Sequence, residues 1–322
     1  MAETVPPQHV HGASPSSTVY LGVHVPGWLQ DLSLVTAFEA KAQKAVSIVM
    51  WYQGWGLTDG SQNFETSWMN AVRNHGSIPL VTWEPWLYTQ GVNQSAYSLQ
   101  NIINGNFDAY IRRWAQDSQA WGHPYFLRFA HEMNGNWNPW SEQVNGNRPG
   151  QYVLAWKHMH DIFRAQGATN VTWVWSPNVE YTGSIALREL YPGDDYVDWV
   201  GMDGYNWGTV SSHSWQSFSQ VFEQTYHDIL ALTSRPLMVA ETASTELAGN
   251  KASWISDAFA TQIPDNFPRI KAVIWFNENK ETDWRIESST AAQAAFTHAV
   301  AASVYATNQC RTLVASPIPV LA

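Results

Sequence analysis

Eight short, nearly uninterrupted apolar runs, each followed by a longer stretch of another periodicity, most restrict the folds open to this chain. The runs are Tyr20 to Val25, Ser47 to Tyr52, Ile78 to Trp83, Tyr125 to Ala130, Val171 to Trp175, Trp199 to Met202, Leu237 to Ala240 and Ala272 to Phe276. Continuous apolarity marks strands buried on both faces, as in a parallel sheet covered by helices. Between and after the runs, Leu32 to Lys44, Phe64 to His75, Phe107 to Trp121, Pro149 to Gln166, Trp215 to Leu232, Lys251 to Gln262 and Thr290 to Ala306 repeat apolar residues at helical spacing. After the fifth run only a short helix around Ser184 to Leu190 fits, before the turn-forming Tyr191-Pro192-Gly193-Asp194-Asp195. Eight such units in 322 residues predict a single α/β domain, a (β/α)8 or TIM barrel over residues 18–322, with residues 1–17 a flexible N-terminal leader.

In that architecture chemistry collects where strands end, so composition is useful chiefly for saying what could bind there. Charged residues make up only 14% of the chain and the formal net charge is -10, a balance that repels phosphate backbones and anionic lipid headgroups. No nucleic-acid or membrane partner is therefore expected, and no apolar run is long enough to span a bilayer. The 19 Trp and 13 Tyr exceed what core filling requires, and indoles offer flat apolar faces suited to pyranose rings. A single cysteine, Cys310, leaves the fold to be held by packing.

The strand ends read as a sugar site. They carry His24, Trp51 to Trp55, Trp83-Glu84-Pro85-Trp86, His131-Glu132, Trp175 to Asn178, Asp203 to Trp207, Glu241-Thr242 and Trp275 to Glu278. Glu132 and Glu241 end the fourth and seventh strands, almost opposite one another around the mouth, where two carboxylates can flank a glycosidic bond. Glu84 reads either as a third carboxylate of the cleft or as a residue that shapes the loop before Pro85. The polar segment from Asn277 to Arg285 reads either as an edge of the groove or as a solvated charge run. A zinc-protease helix motif fails because Gly135 stands where its second histidine would be, so neither metal nor cofactor is expected.

Two motifs, Arg128-Phe129-Ala130-His131-Glu132-Met133-Asn134-Gly135-x-Trp137 and Pro236-Leu237-Met238-Val239-Ala240-Glu241, make the chain resemble glycoside hydrolase family 26 from Tyr20 to about Thr307. The resemblance implies a retaining mechanism with Glu132 as general acid/base and Glu241 as nucleophile. It also implies that His131 precedes the acid, that Trp137 lines the floor near the cleaved bond, that Tyr205 bonds the nucleophile and that Trp275 lies under the reacting sugar. Trp83, Glu84, Asn136 and Trp207 complete the expected substrate-binding set.

The family acts on β-1,4-mannan, on mixed-linkage β-1,3-1,4-glucan and on β-1,3-xylan. Many of its mannanases carry a Trp-His-x-x-Asn-Pro stretch, whereas the comparable stretch here is Trp83-Glu84-Pro85-Trp86. An endo-β-glycanase acting on mixed-linkage glucan is therefore favoured, with endo-β-1,4-mannanase as the alternative and a non-catalytic polysaccharide-binding barrel as a more remote one. A polysaccharide partner implies secretion or surface attachment, although Met1 to His11 carries neither the basic start nor the apolar run of a signal peptide. A monomer is the default.

Overall fold

The computed structural model describes residues 18–27, 31–56 and 62–321; the expected leader, residues 1–17, lies outside them. Eight parallel strands close on themselves: β1 (Val19–His24), β2 (Ile48–Gly56), β3 (Ile78–Leu87), β4 (Tyr125–Phe129), β5 (Val171–Trp175), β6 (Trp199–Asn206), β7 (Leu237–Ser244) and β8 (Ile270–Phe276). Closure comes from β1, which pairs with β2 on one side and β8 on the other. Around them lie α1 (Ser33–Ala42), α2 (Thr66–His75), α3 (Leu99–Ile103), α4 (Asp108–Trp121), α5 (Gln151–Ala165), α6 (Leu187–Leu190), α7 (Phe218–Leu232), α8 (Lys251–Asp257) and α9 (Thr290–Val300). The (β/α)8 barrel predicted from the apolar runs is the observed fold.

Three departures have local causes. The sixth and seventh runs continue as strand to Asn206 and Ser244, past the end of their apolar character, because the polar residues there face the barrel mouth. The α-helix at Lys251 stops at Asp257 and widens into a π-helical stretch over 258–266 that contains Pro264, whose ring an α-helical turn would force against the preceding turn. The last helix ends at Val300 rather than Ala306, because the chain then turns into a short strand, β9 (Tyr305–Ala306), that pairs with the start of β1, ahead of where β2 joins it.

Period-two alternation sorts the strand residues into two cores. Tyr20, Ile48, Met50, Ile78, Leu80, Phe126, Val174, Trp199, Met238, Ala240, Ala272 and Ile274 point inward and fill the lower barrel. Their neighbours, including Val81, Trp83, Leu127, Phe129 and Trp275, point outward into the layer shared with the helices. The floor of the barrel is closed by residues that follow the last helix. Cys310, Leu313 and Ile318 pack onto the inner cluster. The indole N–H of Trp199 donates to the carbonyl of Ile318 at 2.8 Å, and the Tyr20 hydroxyl donates to that of Pro319 at 2.9 Å. Ile318 is buried with its own N–H bonded to Thr172, so Ile318→Ala opens a void beneath the barrel. The expected cost is about 2–5 kcal/mol, read as a fall in urea midpoint at unchanged slope.

Candidate active site

Above the apolar layers the barrel interior turns polar, and the change begins with an arginine. In β4, Phe126 points inward, so Arg128 does too, and its guanidinium is fully buried. Its Nη1 donates to both oxygens of Asp203 on β6, at 2.9 and 3.0 Å, and its Nη2 donates to Oε1 of Glu241 on β7 at 2.5 Å. Nε donates to the hydroxyl of Thr82 on β3 at 2.8 Å. Ser176 adds a bond to Asp203 at 3.1 Å, and Gly201 makes room for it, since a Cβ there would lie 2.2 Å from the Ser176 oxygen. Burial and the charges of Glu241 and Glu132 raise the proton affinity of Asp203 against the pull of Arg128. Every one of these contacts to Asp203 nevertheless comes from a donor, which suits the anion.

Strict alternation would not bring Glu241 to this place, because the adjacent Ala240 already points inward. The register between β6 and β7 slips by one residue here, Met202 pairing with Val239 but Asp203 with Glu241, and this bulge turns the carboxylate into the barrel. Tyr205 donates its hydroxyl to Glu241 Oε2 at 2.6 Å. Burial alone would raise the proton affinity of Glu241, but Arg128, then the charge His131 carries when protonated in acid, and the hydroxyls of Tyr205 and Tyr52 outweigh it and bring the carboxyl down to about 2. His131 Nε2 stands 3.8 Å from the other oxygen, Oε1. Burial and Arg128 push that imidazole down to about 3, so near neutral pH it is uncharged and the electrostatic hold on Glu241 belongs to Arg128.

Glu132 reaches the same cavity by strained backbone. Ala130 and Glu132 both lie in the left-handed region, with φ of +46° and +52°, where side chains that are not glycine sit at a cost of about 1–3 kcal/mol each. Neighbours impose the turn: the Glu132 N–H bonds the Ser176 carbonyl at 2.7 Å, the Trp140 indole bonds the His131 carbonyl at 2.6 Å and the Tyr152 hydroxyl bonds that of Ala130 at 3.1 Å. Burial, followed by the charge of Glu241, raises the Glu132 carboxyl to about 7, while the Trp137 indole donates to its Oε2 at 2.7 Å and partly opposes the rise.

Both carboxylates open into one cavity of about 1080 Å³, whose walls also carry His24, Tyr52, Glu84, Trp86, His131, Trp137, Tyr181, Tyr205, Trp207, Glu278, Lys280 and Trp284. Trp137, 41% exposed, pairs with Tyr181 at 5.7 Å between ring centres, a bare aromatic surface at one end. In the same wall Trp207 packs edge-on against the buried Trp284 at 4.9 Å. The loop carrying Lys280 and Trp284 is held from behind by Lys251, whose buried ammonium donates to the carbonyls of Asp283 and Arg285 and to the Ser288 hydroxyl at 3.0, 2.7 and 2.9 Å. The segment from Asn277 to Arg285 thus contributes Glu278, Lys280, Glu281 and Trp284 to the cavity wall.

Of the residues singled out from sequence, Glu132, Glu241, His131, Trp137, Tyr205, Glu84 and Trp207 meet at the cavity, and three do not. Trp83, 0% exposed, faces outward and packs against Trp55 and Trp114 at 4.8 and 4.7 Å. Trp275, also 0% exposed, faces Phe296 and Phe259, so it cannot lie under a sugar; its indole instead bonds the carbonyl of Trp284 at 3.2 Å and supports a residue that does line the cavity. Each is one residue away in strand parity from an inward position. Asn136 is exposed outside the cavity, and Asn138 takes a place in its wall. Sequence reasoning gave no role to Arg128, Asp203 or Tyr52. A charged residue inside the run Tyr125-Phe126-Leu127-Arg128-Phe129 was the available signal, since a cation there must find anionic partners inside the fold.

Among the described residues, His131, Asp203 and Glu241 bring possible metal-ligand atoms within 4.8 Å of one another. Arg128 already bonds both carboxylates, so an ion there would have to displace a guanidinium.

A family model described as Glycosyl hydrolase family 26 matches residues 10–299. Endoglucanase H of Acetivibrio thermocellus is 41% identical over 291 residues, 87% of this chain and 31% of that protein. A mannan endo-1,4-beta-mannosidase of Bacillus subtilis is 26% identical over 157 residues, 47% of this chain and 39% of that protein. The matched stretch is thus about a third of the first relative's length and about two-fifths of the second's. The solved structure of Bacillus subtilis mannanase man26 superposes with a TM-score of 0.66 at 16% identity, covering 96% of this chain and 92% of that one, and shares the fold.

Replacing Arg128 by Met leaves two buried carboxylates facing each other without their cation. Arg128→Met is expected to cost roughly 3–5 kcal/mol in chemical denaturation, with the loss largest near neutral pH and smaller in acid, where protonation relieves the repulsion.

Proposed function

The chain belongs to glycosyl hydrolase family 26, and from that premise we propose that it is a retaining endo-β-glycanase with Glu132 as acid and then base and Glu241 as nucleophile. The observation that carries the reading is the contrast between two carboxyls in one cavity, Glu132 raised to about 7 and Glu241 lowered to about 2. Two groups of one chemical kind thereby hold opposite protonation states at the same pH, as acid and nucleophile must.

In the first step protonated Glu132 gives its proton to the glycosidic oxygen while a Glu241 oxygen attacks the anomeric carbon, forming a covalent glycosyl ester. A retaining site holds the two carboxyl groups about 5–5.5 Å apart for this purpose. Tyr205 and Arg128 keep Glu241 ionised and fix its orientation until it reacts. Having given up its proton, Glu132 is left ionised, and because esterification removes the charge that helped raise it, it stays so and takes a proton from the water that releases the sugar. Trp137 donates to the ionised form of Glu132, which eases this change of role.

Mixed-linkage β-1,3-1,4-glucan is the favoured substrate, and β-1,4-mannan the second. The relative matched over 87% of this chain is named an endoglucanase, and Glu84 occupies the strand end where many mannanases of the family have a histidine. The exposed aromatic pair Trp137 and Tyr181, next to Glu132, suits a polymer that lies across the mouth rather than a chain end held in a closed pocket.

Incubation with lichenan, glucomannan and galactomannan, followed by measurement of reducing ends, tests the reading; oligosaccharide binding with no release from any of them would leave a lectin. Retention at the anomeric centre is read by proton NMR of the first product, and an inverted product rules out double displacement. Glu241→Ala is expected to remove nearly all turnover. Glu132→Ala is expected to slow polysaccharide far more than an activated aryl glycoside, since only the former needs a proton on its leaving group. The pH profile of kcat/KM for polysaccharide follows from the two carboxyls. It should fall as pH rises through about 7, where Glu132 loses the proton it must donate, and hold in acid until Glu241 protonates near 2 or the fold gives way.

A further inference from the structure

Behind the cavity wall, just past the strand that carries the nucleophile, a lysine is buried that the mechanism above does not use. Lys251 begins α8, where the Asn250 side chain accepts the Ser253 N–H at 2.9 Å, and no part of the lysine reaches solvent. Such a cation must find its partners inside the fold. Its ammonium has three protons and bonds three oxygens, the carbonyls of Asp283 and Arg285 and the hydroxyl of Ser288, while lying 5.9 Å from the centre of the Trp275 ring. None of those oxygens is charged. The carboxylates nearby have other partners: Asp283 binds the Arg285 guanidinium at 2.8 and 2.7 Å, Glu287 binds Lys41 and Asn277, and Glu246 accepts the Ser288 hydroxyl at 2.8 Å. Lys251 is thus placed to shape the segment it bonds rather than to neutralise one acid. Burial first of all draws its proton affinity down to about 8, so at neutral pH the ammonium keeps the three protons that its three acceptors need.

The segment after β8 has little regular structure of its own. It contains an isolated bridge between Asn279 and Asp283, and the Lys280 and Trp284 amides donate to the carbonyls of Thr282 and Glu278 at 3.1 and 3.0 Å. Its far end is gripped from outside. Lys251 takes the carbonyls of Asp283 and Arg285, and the Trp275 indole takes that of Trp284 between them. The Trp284 ring then lies in the cavity wall, 5.1 Å from Tyr205 between ring centres, with Lys280 and Glu281 beside it. Two more contacts join the same segment to the chain leaving β7: the hydroxyls of Thr245 and Thr282 lie 3.0 Å apart, and Ser288 bonds Glu246. Glu241 stands on β7, so this part of the wall is clasped to the nucleophile's own strand.

We propose that Lys251 is a positioning residue of the site, which sets substrate affinity from outside the cavity by fixing Trp284 and Lys280 in its wall. The inference rests on the glycanase reading for the identity of the ligand, and on geometry for the positioning. Without the ammonium, three oxygens face an apolar interior with no donor, and the segment can pair them again only by moving toward water. The wall seen here then becomes one arrangement among several, and apparent affinity falls in proportion to the fraction of molecules that hold it. The reacting carboxyls keep their places, because Arg128 and Tyr205 bond Glu241 and the turn at Glu132 is held by Ser176, Trp140 and Tyr152. Substrate once bound therefore reacts at nearly its former rate.

Lys251→Met nearly keeps the length of the side chain and removes its donors. Amide hydrogen exchange read by mass spectrometry is expected to show residues 278–288 exchanging roughly 10- to 100-fold faster than in the wild type, with peptides from β3 and β4 unchanged. On the polysaccharide that the wild type cleaves best, the substitution is expected to raise KM by about 3- to 10-fold while kcat stays within about twofold. A merely structural loss acts otherwise, since fewer folded molecules lower kcat and leave KM alone. Ser288→Ala, which removes one of the three acceptors and the bond to Glu246, should move exchange and KM in the same direction by less, and it carries the test if Lys251→Met does not fold. Unchanged exchange over 278–288, exchange raised equally throughout the barrel, or a fall in kcat at unchanged KM overturns the proposal. Should the wild type cleave nothing, the glycanase reading fails, and the exchange comparison alone decides whether Lys251 holds the wall.

Discussion

One guanidinium organises the upper half of this barrel. Arg128 is bonded to Thr82, Asp203 and Glu241, so strands β3, β4, β6 and β7 are tied through a single side chain that no water reaches. A buried cation with fewer than two anionic neighbours would be expensive, and a buried carboxylate without it more so. The requirement runs in both directions: Arg128 needs Glu241 ionised to satisfy it, and Glu241 needs Arg128 to stay ionised away from solvent. What looks like catalytic tuning of Glu241 is thus also a condition for closing the polar layer of the core, so the nucleophile's position and charge are fixed before any substrate arrives.

Glu132 occupies the opposite circumstance. It borrows no arginine, sits on a left-handed residue at the mouth and takes one donor from an exposed indole. Its raised proton affinity comes from burial and from the charge that Arg128 secures on Glu241. The two carboxyls therefore form a hierarchy rather than a symmetric pair, in which the deep one is set by the architecture and the shallow one responds to it.

The barrel was legible in the sequence because strands buried on both faces need no alternation and leave runs that stand out against the helices. Glu132, Glu241, His131 and Tyr205 were legible too, since each stands at or just past the end of such a run, and Trp137 through the motif that resembles the family's. The same unbroken apolarity hid parity. With Trp83, Glu84 and Pro85 in sequence nothing in hydrophobicity tells which one faces the interior, and both Trp83 and Trp275 fall on the helix side. Counting by twos from Leu80 or Ile274 would have placed Glu84 and Phe276 inward instead. The bulge at Glu241 breaks that count and could not have been inferred from residue types, because it depends on how β6 and β7 pair.

The residues that seal the barrel floor, Cys310, Leu313 and Ile318, follow the stretch matched by the family, which stops at 299. The family model therefore stops before the hydrophobic well does. A fragment cut at that limit would keep every stave and both reacting carboxylates yet expose the undersides of Tyr20, Phe126 and Trp199 to water. Where a family's shared pattern stops and where a body of protein can stand alone are set by separate conditions, recurring residues for the first and a closed apolar surface for the second.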